Sequence, residues 1–234
     1  MTETNKLHQF IEGFQRFQSK YFVGEEALYH RLKLGQDPST LLIGCCDSRV
    51  DPALLLDCDP GDIFVVRNVA NLVPPCSDSE HVHGVSAAIQ FAVESLQVQR
   101  IIVMGHEKCG GIRALMQPAQ PDQADQTSRP LDFIGRWMRM VEPVKQQVLQ
   151  RLAHCSQEEQ HRACEMGAVI MSLNHLRSFP WVAEREAAGS IVLHGWYFDM
   201  SEGALLAYSE RSDSFLPMVC PLGVAQHSRR SAFV

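Results

Sequence analysis

The sequence predicts an α/β fold with a mainly parallel central β-sheet flanked by helices. Three short apolar runs, at residues 41–44, 63–66 and 101–104, have the length and composition of buried strands. Between the second and third runs, residues 84–98 repeat apolar side chains every three or four positions, which indicates an amphipathic helix. A strand, a crossover helix and a further strand imply a parallel pair with a right-handed connection.

Two helices are predicted before this core. Residues 4–17 carry an aromatic and aliphatic stripe at helical spacing. The stripe consists of Leu7, Phe10, Ile11, Phe14 and Phe17. Such a stripe needs a surface to cover. Residues 25–34 predict the second helix, ended by Gly35, because glycine adopts the left-handed conformation of a helix cap most easily.

After the core, residues 117–130 are rich in Gln, Pro, Asp and Ser, which predicts a surface loop. Helices follow at residues 131–152 and 168–179, and Pro180 ends the second of them. Residues 191–198 and 204–209 flank a Ser-Glu-Gly turn, which predicts a hairpin added to the edge of the sheet.

The chain length of 234 residues suits one domain, residues 1–234. Its predicted parts are a helical arm at 1–34, the core that carries the chemistry at 35–116, the loop at 117–130, and C-terminal helices and edge strands at 131–234. The formal net charge of −6, with no long basic run, argues against nucleic acid or an anionic membrane as a partner.

We expect neither a signal peptide nor a membrane-spanning segment. The first seven residues are acidic and polar where a signal peptide needs a basic start, and no apolar run reaches about 18 residues. We therefore expect a cytoplasmic protein. In a reducing cytosol, metal binding or burial explains the 8 cysteines better than a disulfide framework does.

Polar clusters follow two of the predicted strands directly. The first strand runs into Cys45, Asp47 and Arg49, and the third runs into His106 and Cys109. In open α/β sheets, ligands bind at the carboxyl ends of the strands. Two thiolates and one imidazole suit Zn²⁺, and three protein ligands leave a fourth position for water, as in a catalytic site.

Local spacing supports the same site. His106 and Cys109 are separated by two residues, so a tight turn can present both to one ion, and the neighbouring Gly105, Gly110 and Gly111 ease that turn. In an extended segment, Asp47 and Arg49 point the same way and can form a bidentate pair. An ionised Asp47 can then orient a metal-bound water.

The two motifs, Cys-x-Asp-Ser-Arg at 45–49 and His-x-x-Cys-Gly-Gly at 106–111, together resemble the β-carbonic anhydrases. Residues 65–71 resemble that family's connecting segment, and weaker similarity continues to the final hairpin. The resemblance implies one zinc per subunit on Cys45, His106 and Cys109, and Asp47 with Arg49 as the catalytic pair. It also implies a homodimer or higher even-numbered oligomer, with the N-terminal stripe packed on the partner.

The resemblance extends to the substrate pocket and the subtype. Gln36 stands where the plant-like, open subtype has a glutamine that donates to substrate, and Gly110 allows backbone approach to an anion. Phe64 matches an aromatic that a neighbouring subunit contributes, and Phe91 replaces a plant tyrosine, which removes a hydroxyl. Leu42 occupies the position of a tryptophan in the bicarbonate-inhibited subtype, so no inhibitory site is expected.

The implied reaction is attack of zinc-bound hydroxide on CO₂, giving bicarbonate and a proton. Two thiolates neutralise the charge of zinc, so activity should rise toward alkaline pH. Two alternatives stay open: a zinc hydrolase of a related heterocumulene, carbonyl sulfide or carbon disulfide, and a non-catalytic zinc scaffold. A thiol redox protein is disfavoured because the chain has no Cys-x-x-Cys.

Other polar residues have simpler interpretations. The six remaining cysteines, Cys46, Cys58, Cys76, Cys155, Cys164 and Cys220, are expected to be buried small apolar residues. His81 and His83 are either proton shuttles or solvated loop residues, and His194 is expected to be structural. Arg67 either binds substrate or ties loops or subunits together.

Overall fold

The computed structural model describes residues 3–24, 27–77, 83–117 and 132–221. These residues form two compact units, Met1–Pro38 and Ser39–Val234. The predicted single domain over the whole chain stays a prediction. The predicted loop at 117–130 lies outside the described residues apart from Gln117. No described helix combines the length and apolar composition that a bilayer crossing requires.

The first unit contains α1 (Glu3–Tyr21) and α2 (Leu28–Leu32). On α1, Phe10 and Phe14 are 74% and 62% exposed, so the predicted stripe is not covered within the unit. Phe17 differs, because it is half-buried in ring contacts with Tyr21, Phe22 and Tyr29. The prediction that Gly35 caps α2 in the left-handed region is wrong, because its φ lies outside that region.

The second unit is built on one six-stranded sheet in the order β2-β1-β3-β4-β5-β6. The strands are β1 (Thr40–Cys45), β2 (Ile63–Asn68), β3 (Arg100–His106), β4 (Val192–Asp199), β5 (Ala204–Ser209) and β6 (Ser214–Val219). β2, β1, β3 and β4 run parallel, and β5 and β6 are antiparallel additions. The mainly parallel sheet is therefore confirmed. The hairpin is also present, but β6 was not predicted and forms the outer edge.

Helices and short turns connect the strands. They are α3 (Pro52–Leu55), α4 (Gly84–Gln90) continued by a π-type turn (Phe91–Ser95), α5 (Gly110–Met116), α6 (Phe133–Met138), α7 (Glu142–Arg151), α8 (Gln157–Arg177) and α9 (Pro180–Ala187). The predicted helix at 131–152 is divided in two by a 3₁₀ turn, Arg139–Val141, and Pro143 lies in the first turn of α7. Pro180 ends α8 and also begins α9, a helix the sequence did not predict.

The larger apolar cluster covers one face of the sheet, and a smaller cluster with Leu42, Ile102 and Met104 lies on the other. Alternate residues of β1 and β3, including Leu41, Ile43 and Ile101, pack against α4, α8 and α9. β1 and β3 are buried almost throughout because they lie inside the sheet. The prediction that β2 is a buried strand is wrong: its residues are half-buried or exposed because β2 forms the other edge.

Candidate metal centre

Strand register brings the first two candidate ligands together. β1 and β3 are adjacent and parallel, and Gly44 pairs with Met104. Cys45 and His106 therefore lie one and two residues beyond this pair, at the same carboxyl edge of the sheet. Cys109 follows in the turn after β3, immediately before α5.

The three side chains converge on one buried point. The ligand atoms of Cys45, His106 and Cys109 all lie within 4.8 Å of one another. Each of the three residues is at most 5% exposed. One ion with bonds of about 2.0–2.3 Å can bridge such a group.

The imidazole of His106 is oriented for binding. Its Nδ1 lies 2.9 Å from the carbonyl oxygen of Glu107, to which the ring N–H can donate. Its Nε2 is buried and has no hydrogen-bond partner among the described residues. A buried polar atom left without a partner is costly, and a metal ion would satisfy it.

The two thiols are hydrogen-bonded to each other, which shifts their pKa values in opposite directions. A hydrogen bond from the Cys109 thiol, opposed by burial, lowers the pKa of Cys45 to about 4. The same hydrogen bond raises the pKa of Cys109. The Asp47 N–H also points at the Cys45 sulfur, at 3.4 Å. Two sulfurs and one imidazole nitrogen are donors that suit Zn²⁺, so the residues fit this ion.

Asp47 and Arg49 form a bidentate pair beside these ligands. Arg49 Nε donates to Asp47 Oδ1 at 2.9 Å, and Nη2 donates to Oδ2 at 2.7 Å. The segment is a turn rather than the extended segment assumed from sequence, since the Val50 N–H bonds the Asp47 carbonyl. The hydrogen bond from Arg49 holds the pKa of Asp47 well below its usual range.

Arg67 ties the Cys45–Asp51 turn to the end of β2. Its guanidinium donates to the carbonyl oxygens of Cys45 at 2.9 Å and Asp47 at 2.8 Å. A third contact, at 2.7 Å, reaches the carboxylate of Asp51, which caps α3. Of the two interpretations left open by the sequence, these contacts favour the loop-tying one.

Gly105, Gly110 and Gly111 were expected to ease the turn between His106 and Cys109, but the structure gives them other roles. The residue with positive φ in the His106–Cys109 turn is Lys108, at 58°, not a glycine. A Cβ on Gly105 would lie 2.6 Å from Val169, and one on Gly111 would lie 2.7 Å from Val69. These two glycines therefore permit close packing, whereas a Cβ on Gly110 would meet open space.

The remaining predicted site residues lie in different surroundings. Phe64 on β2 and Phe91 after α4 have ring centroids 5.8 Å apart, and Phe91 is 45% exposed. Gln36 is exposed and belongs to the first unit. His83 is exposed just before α4, and His81 lies outside the described residues.

All 8 cysteines lie among the described residues and are free thiols. Cys164 is buried, as predicted, and Cys58 and Cys155 are half-buried. The burial prediction is wrong for the other three, Cys46, Cys76 and Cys220, which are exposed. Cys46 alternates with the buried Cys45 at the end of β1 and therefore points the other way.

Sequence reasoning missed one residue that contacts the centre. Glu165 on α8 is 4% exposed, and its carboxylate accepts the Cys109 N–H at 2.9 Å. A signal for it was available, because Glu165 shares the buried face of α8 with Ala168, Val169 and Ser172. A charged residue on an apolar helix face is unusual and needs a partner.

The family model described as carbonic anhydrase matches residues 40–205, which include every candidate ligand. The chain belongs to the β-class carbonic anhydrase family. It is 32% identical to a carbonic anhydrase of Synechocystis over 86% of this chain and 71% of the relative. It is 35% identical to β carbonic anhydrase 3 of Arabidopsis thaliana over 86% of this chain and 77% of the relative.

Solved structures agree with the family. The structure of the β-carbonic anhydrase CcaA superposes with a TM-score of 0.80 and 31% identity, covering 91% of this chain and 99% of that one. This carbonic anhydrase thus shares both its fold and much of its sequence with these relatives, and CO₂ hydration is the activity of its class.

Proposed function

We propose that this chain catalyses the reversible hydration of CO₂ to bicarbonate, with Cys45, His106 and Cys109 as the residues that would hold zinc and the Asp47–Arg49 pair as the catalytic pair. The observation that carries this proposal is the convergence of three buried ligand atoms within 4.8 Å, beside a bidentate carboxylate–guanidinium pair. When bound there, zinc would acidify a water and supply a hydroxide nucleophile, more fully as the pH rises because two thiolates reduce the charge of the ion.

The role of Asp47 in this proposal is to orient the attacking water. Its carboxylate stays ionised because Arg49 donates to both of its oxygens, so it acts only as a hydrogen-bond acceptor. An acceptor fixed in this way takes the hydrogen bond of the attacking hydroxyl group and turns the oxygen lone pair toward CO₂. The proton released by the reaction then passes to buffer.

Arg49 positions Asp47, and a further hydrogen bond to the main chain holds Arg49 in place. Its Nη2 also donates to the Lys108 carbonyl at 3.1 Å, in the turn that carries His106 and Cys109. A lysine in its place would lack the planar fork that allows two parallel hydrogen bonds. The guanidinium therefore links the turn after β1 to the turn after β3.

Gln36, Phe64, Phe91 and Gly110 are proposed as substrate-binding residues, as the family resemblance implies. Phe64 and Phe91 supply an apolar surface suited to CO₂, and Gly110 leaves open space where a side chain would otherwise lie at the start of α5. Because this chain has Leu42 in place of a tryptophan, we propose an active centre of the open subtype without a bicarbonate inhibitory site.

The assembly is proposed to be a homodimer or a higher even-numbered oligomer. Two observations support it. The α1 stripe is exposed, with Phe10 at 74%, and in the second unit Val65 and Phe91 are also exposed large apolar residues. Exposed apolar surface of this extent marks interaction sites in soluble proteins.

The test is stopped-flow CO₂ hydration on metal-quantified protein from about pH 6.5 to 9, beside Asp47→Asn and the surface control Asp62→Asn. Asp47→Asn should keep zinc and lose about 10²- to 10⁴-fold in kcat, the range for a positioned acid–base group. Turnover of the wild-type protein should rise with pH. Full zinc occupancy with turnover of carbonyl sulfide or carbon disulfide but not CO₂ would contradict the proposal.

A further inference from the structure

The peptide bond between Lys108 and Cys109 is held at both of its edges. The Lys108 carbonyl accepts a hydrogen bond from Arg49 at 3.1 Å, and the Cys109 N–H donates to Glu165 Oε1 at 2.9 Å. In a trans peptide these two groups point in opposite directions. Arg49 of the catalytic pair and Glu165 therefore clamp one rigid plane from its two sides.

The position of this plane decides where the Cys109 sulfur points. Lys108 has a φ of 58°, a backbone conformation that residues other than glycine adopt at an energetic cost. Cys109 then precedes α5 without a side-chain cap. A strained turn of this kind is held by surrounding contacts, and Glu165 is the contact at its Cys109 end.

Glu165 is itself fixed. Its second carboxyl oxygen, Oε2, accepts the hydroxyl of Tyr197 at 2.6 Å. Tyr197 lies on β4 and is fully buried, and its ring packs against the Arg162 guanidinium at 5.1 Å. Because each carboxyl oxygen has one buried donor, Glu165 has little freedom to move away from Cys109.

We propose that Glu165 is a positioning residue for this enzyme, which holds the Lys108–Cys109 peptide so that the Cys109 sulfur faces the metal and the Lys108 carbonyl faces Arg49. The inference rests on the proposed function, since it assigns Glu165 to the same centre. Glu165 touches neither substrate nor metal and acts through the main chain. It couples α8 to both the ligand set and the catalytic pair.

Three variants test this role. Glu165→Ala removes the acceptor, whereas Glu165→Gln keeps an amide oxygen that can accept the Cys109 N–H. The control is Ser172→Ala, on the same helix and fully buried, whose hydroxyl bonds Val73 and Asn71 rather than Cys109. The readouts are zinc affinity by competition with a chromophoric chelator, the thiolate charge-transfer and d–d bands of the cobalt-loaded protein, and CO₂ hydration.

Glu165→Ala should weaken zinc binding by about 10- to 100-fold, the usual effect of removing a group that orients a metal ligand. Its cobalt bands should shift, while Glu165→Gln should restore most of the affinity and Ser172→Ala should match the wild type. Cobalt bands and zinc affinity of Glu165→Ala that equal those of Ser172→Ala would overturn the inference. So would Glu165→Gln being as impaired as Glu165→Ala.

The failure of the two proposals can be told apart. A wild-type protein that binds zinc and hydrates CO₂, with an unaffected Glu165→Ala variant, overturns only the role of Glu165. A wild-type protein that neither binds zinc nor hydrates CO₂ overturns both the proposed function and the role of Glu165. If Glu165→Ala does not fold, Tyr197→Phe removes the bond that fixes Glu165. A shift of its cobalt bands supports the inference, and unchanged bands overturn it.

Discussion

The metal centre and the proposed substrate pocket differ in how completely a single chain builds them. The ligands Cys45, His106 and Cys109 are buried, and each is oriented by hydrogen bonds within the same chain. By contrast, Phe91 is 45% exposed, and Phe64 lies on an edge strand. The reactive atoms are thus fixed by the parallel sheet, whereas the apolar wall beside Phe64 and Phe91 remains open in one chain.

This difference follows from topology. The ligands extend from central strands whose register is set by a core that is buried on both sides. Of the two pocket aromatics, Phe64 lies on an edge strand and Phe91 packs beside it, so part of their surface faces away from the core. Substitutions on the metal side should therefore change metal binding or chemistry in each chain, while substitutions on the exposed apolar side should change assembly.

The largest effect is expected for His106→Ala. Loss of one of three ligands should abolish stable zinc binding and lower CO₂ hydration by about 10³-fold or more, since a metal supplies several kcal/mol of transition-state stabilisation. Zinc content by mass spectrometry and stopped-flow assay measure both. His194→Ala, which removes a half-buried histidine from the neighbouring strand β4, is the control and should keep both zinc and activity.

A smaller effect is expected for Arg49→Lys. The ammonium group retains the charge but not the two parallel hydrogen bonds to Asp47, so kcat should fall by about 10-fold or more while zinc content stays unchanged. The exposed Arg113→Lys on α5 serves as the control. Loss of zinc from Arg49→Lys would contradict the separation between ligand and positioning roles.

Assembly should respond to charge on the N-terminal stripe. Phe10→Glu with Phe14→Glu should shift the protein toward monomers in sedimentation velocity, because carboxylates cannot be buried in an apolar interface without a partner. Phe133→Glu is a matched control, since Phe133 is 72% exposed and Phe10 is 74% exposed. If the double variant assembles like the wild type, the stripe is not an interface, and the proposed difference between the metal side and the exposed apolar side is contradicted.

The smallest effect on chemistry is expected far from the centre. Arg177 donates bidentately to Glu186 and also contacts Glu210, at 2.5 Å. Because these groups are partly exposed, Arg177→Met should lower the free energy of unfolding by about 1 kcal/mol or less. Urea unfolding measures the loss. Zinc content and CO₂ hydration should remain at wild-type values. A change in either would contradict this prediction by showing that the ion pairs of Arg177 affect the metal centre.

The central fold was predictable because its strands are apolar on both faces. β1 and β3 are short runs of buried residues, and the helical period between β2 and β3 required a crossover. β6 was missed because it is an outer strand that contains Pro217 and is largely exposed, so its composition resembles that of a loop. α9 was missed because a proline that ends one helix also suits the first turn of the next.

The candidate ligands were predictable for a similar reason. They follow strand ends directly, so local sequence and sheet topology place them together. The apolar face of α8 marks Glu165 as buried, but its partner was not predictable. The contacts of Glu165 and Arg67 join residues 56 and 22 positions apart through side-chain directions set by helix packing and strand register. Lys108 at positive φ was also hidden, since lysine carries no sequence signal for that conformation.

X-ray absorption at the zinc edge of the wild-type protein is the most direct test of the central claim. We predict a four-coordinate site with two sulfur ligands at about 2.3 Å and two nitrogen or oxygen ligands at about 2.0–2.1 Å, from one histidine and one water. A zinc site with three or four sulfur ligands, or a protein that retains no zinc, would contradict the assignment of Cys45, His106 and Cys109.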